Sequence, residues 1–230
     1  MDDVAMNDDS HVESAEQRAT RSIPMRNEVL RKLFHLGSVV IPVGIILLGS
    51  ELMVLLLSIS AVALVTIEVF RAASPRLNHL FNRGFGFMMR HREMDSGAQG
   101  SVVLTGSSWM LLAYAPLLWL FPVEVVIAAF LMVSLCDPAA ALVGRSVGRY
   151  RMRSGKSLEG SMAFLVAGIA AAAITGVIQP GFIVWIGIAG AAAATLAEAF
   201  PGPFDDNFIV PVAACVAMQG VASLASVTAA

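Results

Sequence analysis

Charge is scarce in this sequence. Only 14% of its 230 residues are Asp, Glu, Lys or Arg, about half the share of an ordinary soluble domain, while 57% are hydrophobic. With a mean hydropathy of +0.75, a globule of this length has too little interior to hide its apolar surface, which excludes a large water-soluble domain. Cysteine is nearly absent too. Cys136 and Cys215 lie inside apolar stretches, so neither a disulfide framework nor a Cys-based zinc site fits. No histidine follows His91, and a formal net charge of −2 leaves no basic surplus for nucleic acid. Intact nucleotide fingerprints are missing as well. Gly155-Lys156-Ser157 resembles the end of a Walker A loop, but Tyr150 stands where that loop needs glycine. Gly84-Phe85-Gly86 lacks the third glycine of a dinucleotide fingerprint, because Met89 occupies its place.

What the chain has is apolar length. Segments at approximately 33–49, 52–70, 101–121, 123–144, 159–179, 182–200 and 207–227 each approach the length that crosses a bilayer. They predict an all-α polytopic membrane protein of about seven transmembrane helices, with Phe121 and Pro122 as the only break between the third and fourth. The last three segments are rich in Ala and Gly, which suits close packing of helices in lipid. Residues 1–26 begin acidic (Asp2, Asp3, Asp8, Asp9) and lack the apolar core of a signal peptide, so they are expected to be a disordered tail ahead of a membrane-embedded domain at 27–230.

Placement of charge gives the orientation. All 15 Lys and Arg fall before the first segment, after the second or after the fourth, so seven spans put every one on a single side. By the positive-inside rule that side is cytoplasmic, together with the amino terminus and all four histidines. The opposite side carries only Glu51 and Glu124. Any chemistry is therefore expected at the cytoplasmic face of a multi-pass protein of the cell membrane.

Three constellations offer such chemistry. The first runs from Asp137 to Ser161. Asp137 lies inside a span, where an ionised carboxylate is costly without a partner or a function. A helix extended that far would place Asp137, Ala141, Gly144 and Gly148 on one face, and a bare backbone groove beside an acid admits a phosphate chain with Mg²⁺. Arg145, Arg149 and Lys156 supply charge for phosphate oxygens. Small residues equally serve helix packing, and a cytoplasmic Arg run equally serves topology.

In the second, Glu198, Asp205, Asp206 and Asn207 surround the turn between the last two helices. There the acids either cap a helix or join Asp137 and Glu159 in a carboxylate cluster suited to Mg²⁺. The third holds Arg31, Lys32 and His35, then Glu68 and Arg71, then Arg92 and Glu93. Glu68 and Arg71, three apart, are expected to pair, and His35 is either structural or a base or phosphate contact.

In this order the segments resemble the CTP-dependent polyisoprenoid and lipid kinases: dolichol kinase, phytol kinase and yeast-type diacylglycerol kinase. The resemblance covers about 31–211 and rests on four signatures. These are Arg31-Lys32 with His35, Glu68 with Arg71 and Arg92-Glu93, the Asp137-Pro-Ala-Ala…Gly144-Arg145…Gly148-Arg149…Lys156-Ser157-Leu-Glu159-Gly160-Ser161 segment, and Glu198 with Asp205-Asp206-Asn207 and Pro211. It implies a kinase moving the γ-phosphate of CTP, with Mg²⁺, onto the hydroxyl of a membrane lipid alcohol: dolichol or another polyprenol, phytol, or diacylglycerol. By the same resemblance Asp137, Glu159, Asp205 and Asp206 become candidates for metal ligation, and Asp137, Lys156, Glu159, Asp206 and His35 for catalysis. Gly144, Arg145, Gly148, Arg149, Lys156, Ser157, Gly160 and Ser161 become the nucleotide contacts.

Two other readings stay open. Phosphatidate cytidylyltransferase shares a similar central segment, although its His-Gly-Gly ending is absent here. A non-enzymatic transporter or lipid scaffold would use Asp137 as an ion site.

Overall fold

The computed structural model describes residues 25–96, 101–152, 154–200 and 202–228, leaving aside the side chains of 25–29, 91, 92 and 226–228. The acidic tail up to residue 24, and with it most of the expected disordered segment, lies outside the described residues. Among those described there are ten α-helices and one 3₁₀ turn but no strand, apart from an isolated bridge between Arg151 and Ser157. The protein is an all-α polytopic membrane protein.

The first apolar segment forms two helices, α1 (Met25–Gly37) and α2 (Val40–Leu48). They part at Ser38, whose hydroxyl donates to the His35 carbonyl at 2.6 Å and so competes with the helical ladder. A one-residue joint follows at Gly49, whose φ of +83° suits glycine and turns the chain into α3 (Ser50–Ala73). In α3 the buried Met53, Leu57 and Ala61 form one helical stripe, and Leu55, Ile59 and Val62 stay exposed for lipid.

The stretch after α3, where no spanning apolar segment is predicted, contains α4 (Pro75–Phe85), the 3₁₀ turn Gly86–Met88 and the short α5 (His91–Met94). The signal was available: Pro75 at the first helical position, then Leu77, Leu80, Phe81 and Phe85 three or four apart. Next come α6 (Gly106–Leu120) and α7 (Val123–Ser146), separated at Phe121 and Pro122 as expected. The chain continues with α8 (Leu158–Ile178), α9 (Val184–Ala199) and α10 (Asp206–Thr228).

Among the described residues, five stretches are long and apolar enough to cross a bilayer: Leu30–Leu48, Ser50–Ala73, Val123–Ser146, Leu158–Ile178 and Asp206–Ala225. The third and sixth predicted segments are shorter, 15 residues in α6 and 16 in α9, or about 24 Å of helix against roughly 30 Å of hydrocarbon.

α7 is the central element. Every residue from Val125 to Ser134 is buried, so this helix is apolar on all sides because neighbours surround it. It packs on α8, α10, α1 and α2, while α9 lies between α8 and α10. Small residues set these approaches. A Cβ on Gly168 would come within 2.8 Å of the Ala191 Cβ, and one on Gly187 within 2.6 Å of the Ala172 Cβ. In lipid, where apolar burial drives little association, such close contact is what holds helices together.

Candidate active site

α1 and α7 build one wall. The Lys32 Nζ stands 2.5 Å from the Asp137 Oδ2, which gives the intramembrane acid the partner its position demands. The Ser38 and Ser134 hydroxyls meet at 2.7 Å and tie the joint between α1 and α2 to α7. Asp137 keeps 40% of its side chain accessible, toward the cavity it lines. One turn on from Lys32, His35 lines the same space, and its Nε2 finds no hydrogen-bond partner among the described residues.

A tight turn between α7 and α8 builds the facing wall. The bridge from Arg151 to Ser157 closes it, and Gly155, with φ +81°, supplies the left-handed residue. Ser157 caps α8 by accepting from the Gly160 N–H at 3.1 Å. The Glu159 carboxylate accepts the backbone N–H of Arg149 at 3.0 Å and of Tyr150 at 3.3 Å, which clamps the turn from outside.

Held this way, Lys156 points inward. Its Nζ lies 2.9 Å from the Glu198 Oε1 and 2.9 Å from the Asp206 Oδ2, and donates to the Glu198 carbonyl oxygen at 2.5 Å. Burial acts to lower the pKa of the ammonium. The Asp206 and Glu198 carboxylates outweigh it and hold the proton beyond the ordinary lysine value.

Behind this wall, Asp205 pairs with Arg90 and accepts the Asn207 backbone N–H at 3.0 Å, so it both caps α10 and anchors the segment before α5. The Asn207 amide donates to the Gly106 carbonyl at 3.2 Å. Glu93 receives the N–H of Arg90 and of Gly106, and burial raises its carboxyl above the ordinary range.

Glu68 and Arg71 do not form the expected ion pair. Glu68 instead accepts from the Thr105 hydroxyl and N–H at 2.6 and 3.0 Å, while Arg71, over the Phe81 ring, donates to the Glu93 carbonyl at 2.9 Å and to Asn78 at 3.1 Å. Asn78 and Asn82, which the sequence reading passed over, both donate to the Met94 carbonyl. These two buried charges position loops. The Arg92 side chain lies outside the described residues.

The two walls enclose a cavity of about 700 Å³, within the range of small-molecule sites. It brings together His35, Asp137, Gly144, Arg145, Lys156, Ser157, Gly160, Ser161 and Asp206 from the expected set, with Glu198. Arg149, Glu159 and Asp205 do not line it. Gly148 does not either: a Cβ there would meet the Gly144 carbonyl at 2.2 Å and Ser157 at 2.8 Å, so it serves the packing of α7 on the turn. Gly144 and Gly160 share that crossing, since a Cβ on Gly160 would lie 3.3 Å from the Gly144 Cα. Among the described residues no three His, Cys, Asp or Glu side chains gather as a metal group. The pooled carboxylate cluster is thus divided between separate cations, Asp137 on Lys32, Asp205 on Arg90, and Asp206 with Glu198 on Lys156.

Comparison with known proteins adds a family to this geometry. The chain is 30% identical over 142 residues to an uncharacterized protein of Rickettsia prowazekii, covering 62% of this chain and 67% of that one, and the two belong to one family. It is 27% identical over 221 residues to the CTP-dependent diacylglycerol kinase 1 of Eremothecium gossypii, covering 85% of this chain and 68% of that enzyme. With the enzyme of the same name from Saccharomyces cerevisiae it shares 26% over 221 residues, 85% of this chain and 74% of the other. These similarities support the CTP-dependent lipid kinase family. No family model and no solved structure matches the chain.

For a lipid kinase the cavity is chemically apt. Its lining joins charged side chains, among them Asp137, Arg145 and Lys156, to apolar ones, Phe34, Leu64, Ile67, Phe81 and Phe85. A phosphoryl donor needs the first and an acyl chain the second.

Proposed function

We propose that the protein transfers the γ-phosphate of CTP to the hydroxyl of diacylglycerol, at the cytoplasmic face of the membrane. The observation that carries this reading is one cavity lined both by the charged Asp137, Arg145 and Lys156 and by apolar side chains of α1, α3 and α4. The relatives named for CTP and diacylglycerol favour that donor and that acceptor among the lipid alcohols. Phosphoryl transfer requires mainly alignment and positive charge on the equatorial oxygens, which Lys156 and Arg145 supply. The hydroxyl oxygen attacks the γ-phosphorus, the bond to the β-phosphate oxygen breaks, and CDP leaves. Asp137, on the α1 side where the lipid hydroxyl arrives, takes the proton, and His35 beside it orients the alcohol.

Mg²⁺ fits as an ion carried in with the nucleotide. Glu198 and Asp206 already converge on one cation, the Lys156 ammonium, and Mg²⁺ on phosphates needs only one or two carboxylates. They would hold the metal, which when bound neutralises developing phosphate charge. Glu159, Arg149 and Asp205 act from outside the cavity by shaping the turn and the start of α10.

The test is labelled-nucleotide transfer by purified protein in detergent, with CTP (labelled at the α or the γ position) and ATP in parallel and with diacylglycerol, a polyprenol, phytol and phosphatidate as acceptors. Label moving from the γ position of CTP to diacylglycerol is the expected result. Label moving from the α position instead, onto phosphatidate, would make the protein a cytidylyltransferase. No nucleotide-dependent product would leave the transporter or scaffold reading.

A further inference from the structure

Two helices that supply apolar lining to the cavity, α1 and α3, barely touch each other. α1 packs on α7 and on the 3₁₀ turn Gly86–Met88, yet makes at most marginal contact with α3, although residues of both line the same cavity. Between them Phe34 is 63% exposed, and Ile67 and Phe85 are also on the surface. Both helices belong to stretches long and apolar enough to cross the bilayer, so this gap faces acyl chains and not water.

Its depth follows from the sequence positions. Leu64 and Ile67 lie nine and six residues before the end of α3 at Ala73, or roughly 9–14 Å from it, and Phe34 is four residues into its span. That is near one membrane surface, at the level where a lipid alcohol keeps its hydroxyl. α4 borders the gap from the surface side. Phe81 and Phe85 face the cavity while Arg76 and Arg83 are exposed, the pattern of a helix lying along the interface.

We propose that the lipid acceptor reaches the site sideways from the bilayer, through an opening between α1 and α3 edged by Phe34, Leu64, Ile67 and Phe85, and that its acyl chains stay in this opening during transfer. The inference rests on the diacylglycerol kinase reading above. It adds the path and the residues that select for chain length. The hydroxyl then arrives beside Asp137 and Lys32, while the nucleotide occupies the Lys156 side from the aqueous face. Chains held in the opening contribute binding that a short-chain lipid cannot make.

The test compares dioleoylglycerol in vesicles with dihexanoylglycerol, using the full chain and its Leu64→Trp and Ile67→Trp variants. Filling the opening is expected to raise KM for dioleoylglycerol about tenfold more than KM for dihexanoylglycerol. In parallel, a benzophenone amino acid at position 34 or 67 is expected to capture labelled dioleoylglycerol, whereas the same probe at Leu196, exposed but outside the cavity, is not. The crosslink decides the matter should either tryptophan variant fail to fold. If the unaltered protein turns over neither lipid, the acceptor reading fails. If it turns over both, while the variants treat the two chain lengths alike and the probes at 34, 67 and 196 capture equally, the opening alone is overturned.

Discussion

Removing the Lys156 ammonium should cost stability and activity for separable reasons. Its Nζ is 2.9 Å from a carboxylate oxygen of each of Glu198 and Asp206, so those two oxygens lie no more than about 6 Å apart. At an effective dielectric of about 20 their repulsion is then about 3 kcal/mol once the cation is gone. Glu198 keeps only 12% of its side chain accessible and cannot escape, whereas Asp206, at 35%, partly relaxes into water. A loss of about 2–4 kcal/mol follows for Lys156→Ala, in line with breaking a buried pair from one side. The pair Lys156→Ala/Glu198→Gln removes one of the repelling charges and should recover about 2 kcal/mol of that loss. Activity should not return, because the nucleotide still lacks its cation, and a drop of roughly 10²–10³ is expected in both variants. The pH dependence has a defined sign. A lysine whose folded pKa is raised gives stability that is fully present below its unfolded value and is lost as pH rises through the folded one, so the stability gap to Lys156→Ala should stay flat from about pH 7 to about pH 9. Denaturation in detergent followed by circular dichroism gives the stabilities, and γ-labelled CTP the turnover. A double variant no more stable than the single one would refute the reasoning.

Asp205 and Asp206 should behave differently. Asp205→Asn keeps an acceptable cap and loses only the Arg90 pair, so activity should fall less than about tenfold, whereas Asp206→Asn should lose about 10²-fold or more and shift the Mg²⁺ dependence, as metal titrations of turnover will show. Gly148→Ala places a methyl group 2.2 Å from the Gly144 carbonyl and should destabilise by about 1–3 kcal/mol, measured by the same denaturation. A cysteine replacing Glu124 should react with an impermeant thiol reagent only from outside the cell and one replacing Tyr150 only from inside; reaction of both from one side would overturn the proposed crossing by α7.

The fold was legible where one physical rule dominated. Apolar runs of near-spanning length located α3, α7, α8 and α10 within a few residues, because lipid forces the backbone into helix wherever it is crossed. The break at Ser38 was hidden, since it depends on a hydroxyl competing for the His35 carbonyl and reaching Ser134, a residue distant in sequence. α4 was readable from Pro75 and the spacing of Leu77, Leu80, Phe81 and Phe85, a periodicity too short and too interrupted by Arg76, His79 and Arg83 to register as a spanning segment. At the site, residue types pointed to Asp137, Lys156 and Asp206. The partition among cations was not readable, because Lys32, Arg90 and Lys156 each find an acid far along the chain. Asn78 and Asn82 escaped for the opposite reason: neutral amides carry no signal until a carbonyl such as that of Met94 is placed beside them.

The turn from Arg149 to Ser157 has a genetic consequence. Lys156 reaches Asp206 only while Glu159 holds the backbone at Arg149 and Tyr150, and while Gly148 and Gly160 let α7 and α8 meet around Ser157. A bulkier residue at either glycine therefore withdraws the ammonium without altering any charge. A screen for inactive alleles would score Gly148 and Gly160 beside Lys156, and would group as one phenotype defects that arise from a displaced helix and from a missing cation. Suppressors of the glycine alleles should then map to small-side-chain changes at the crossing, whereas no such change should rescue loss of the lysine.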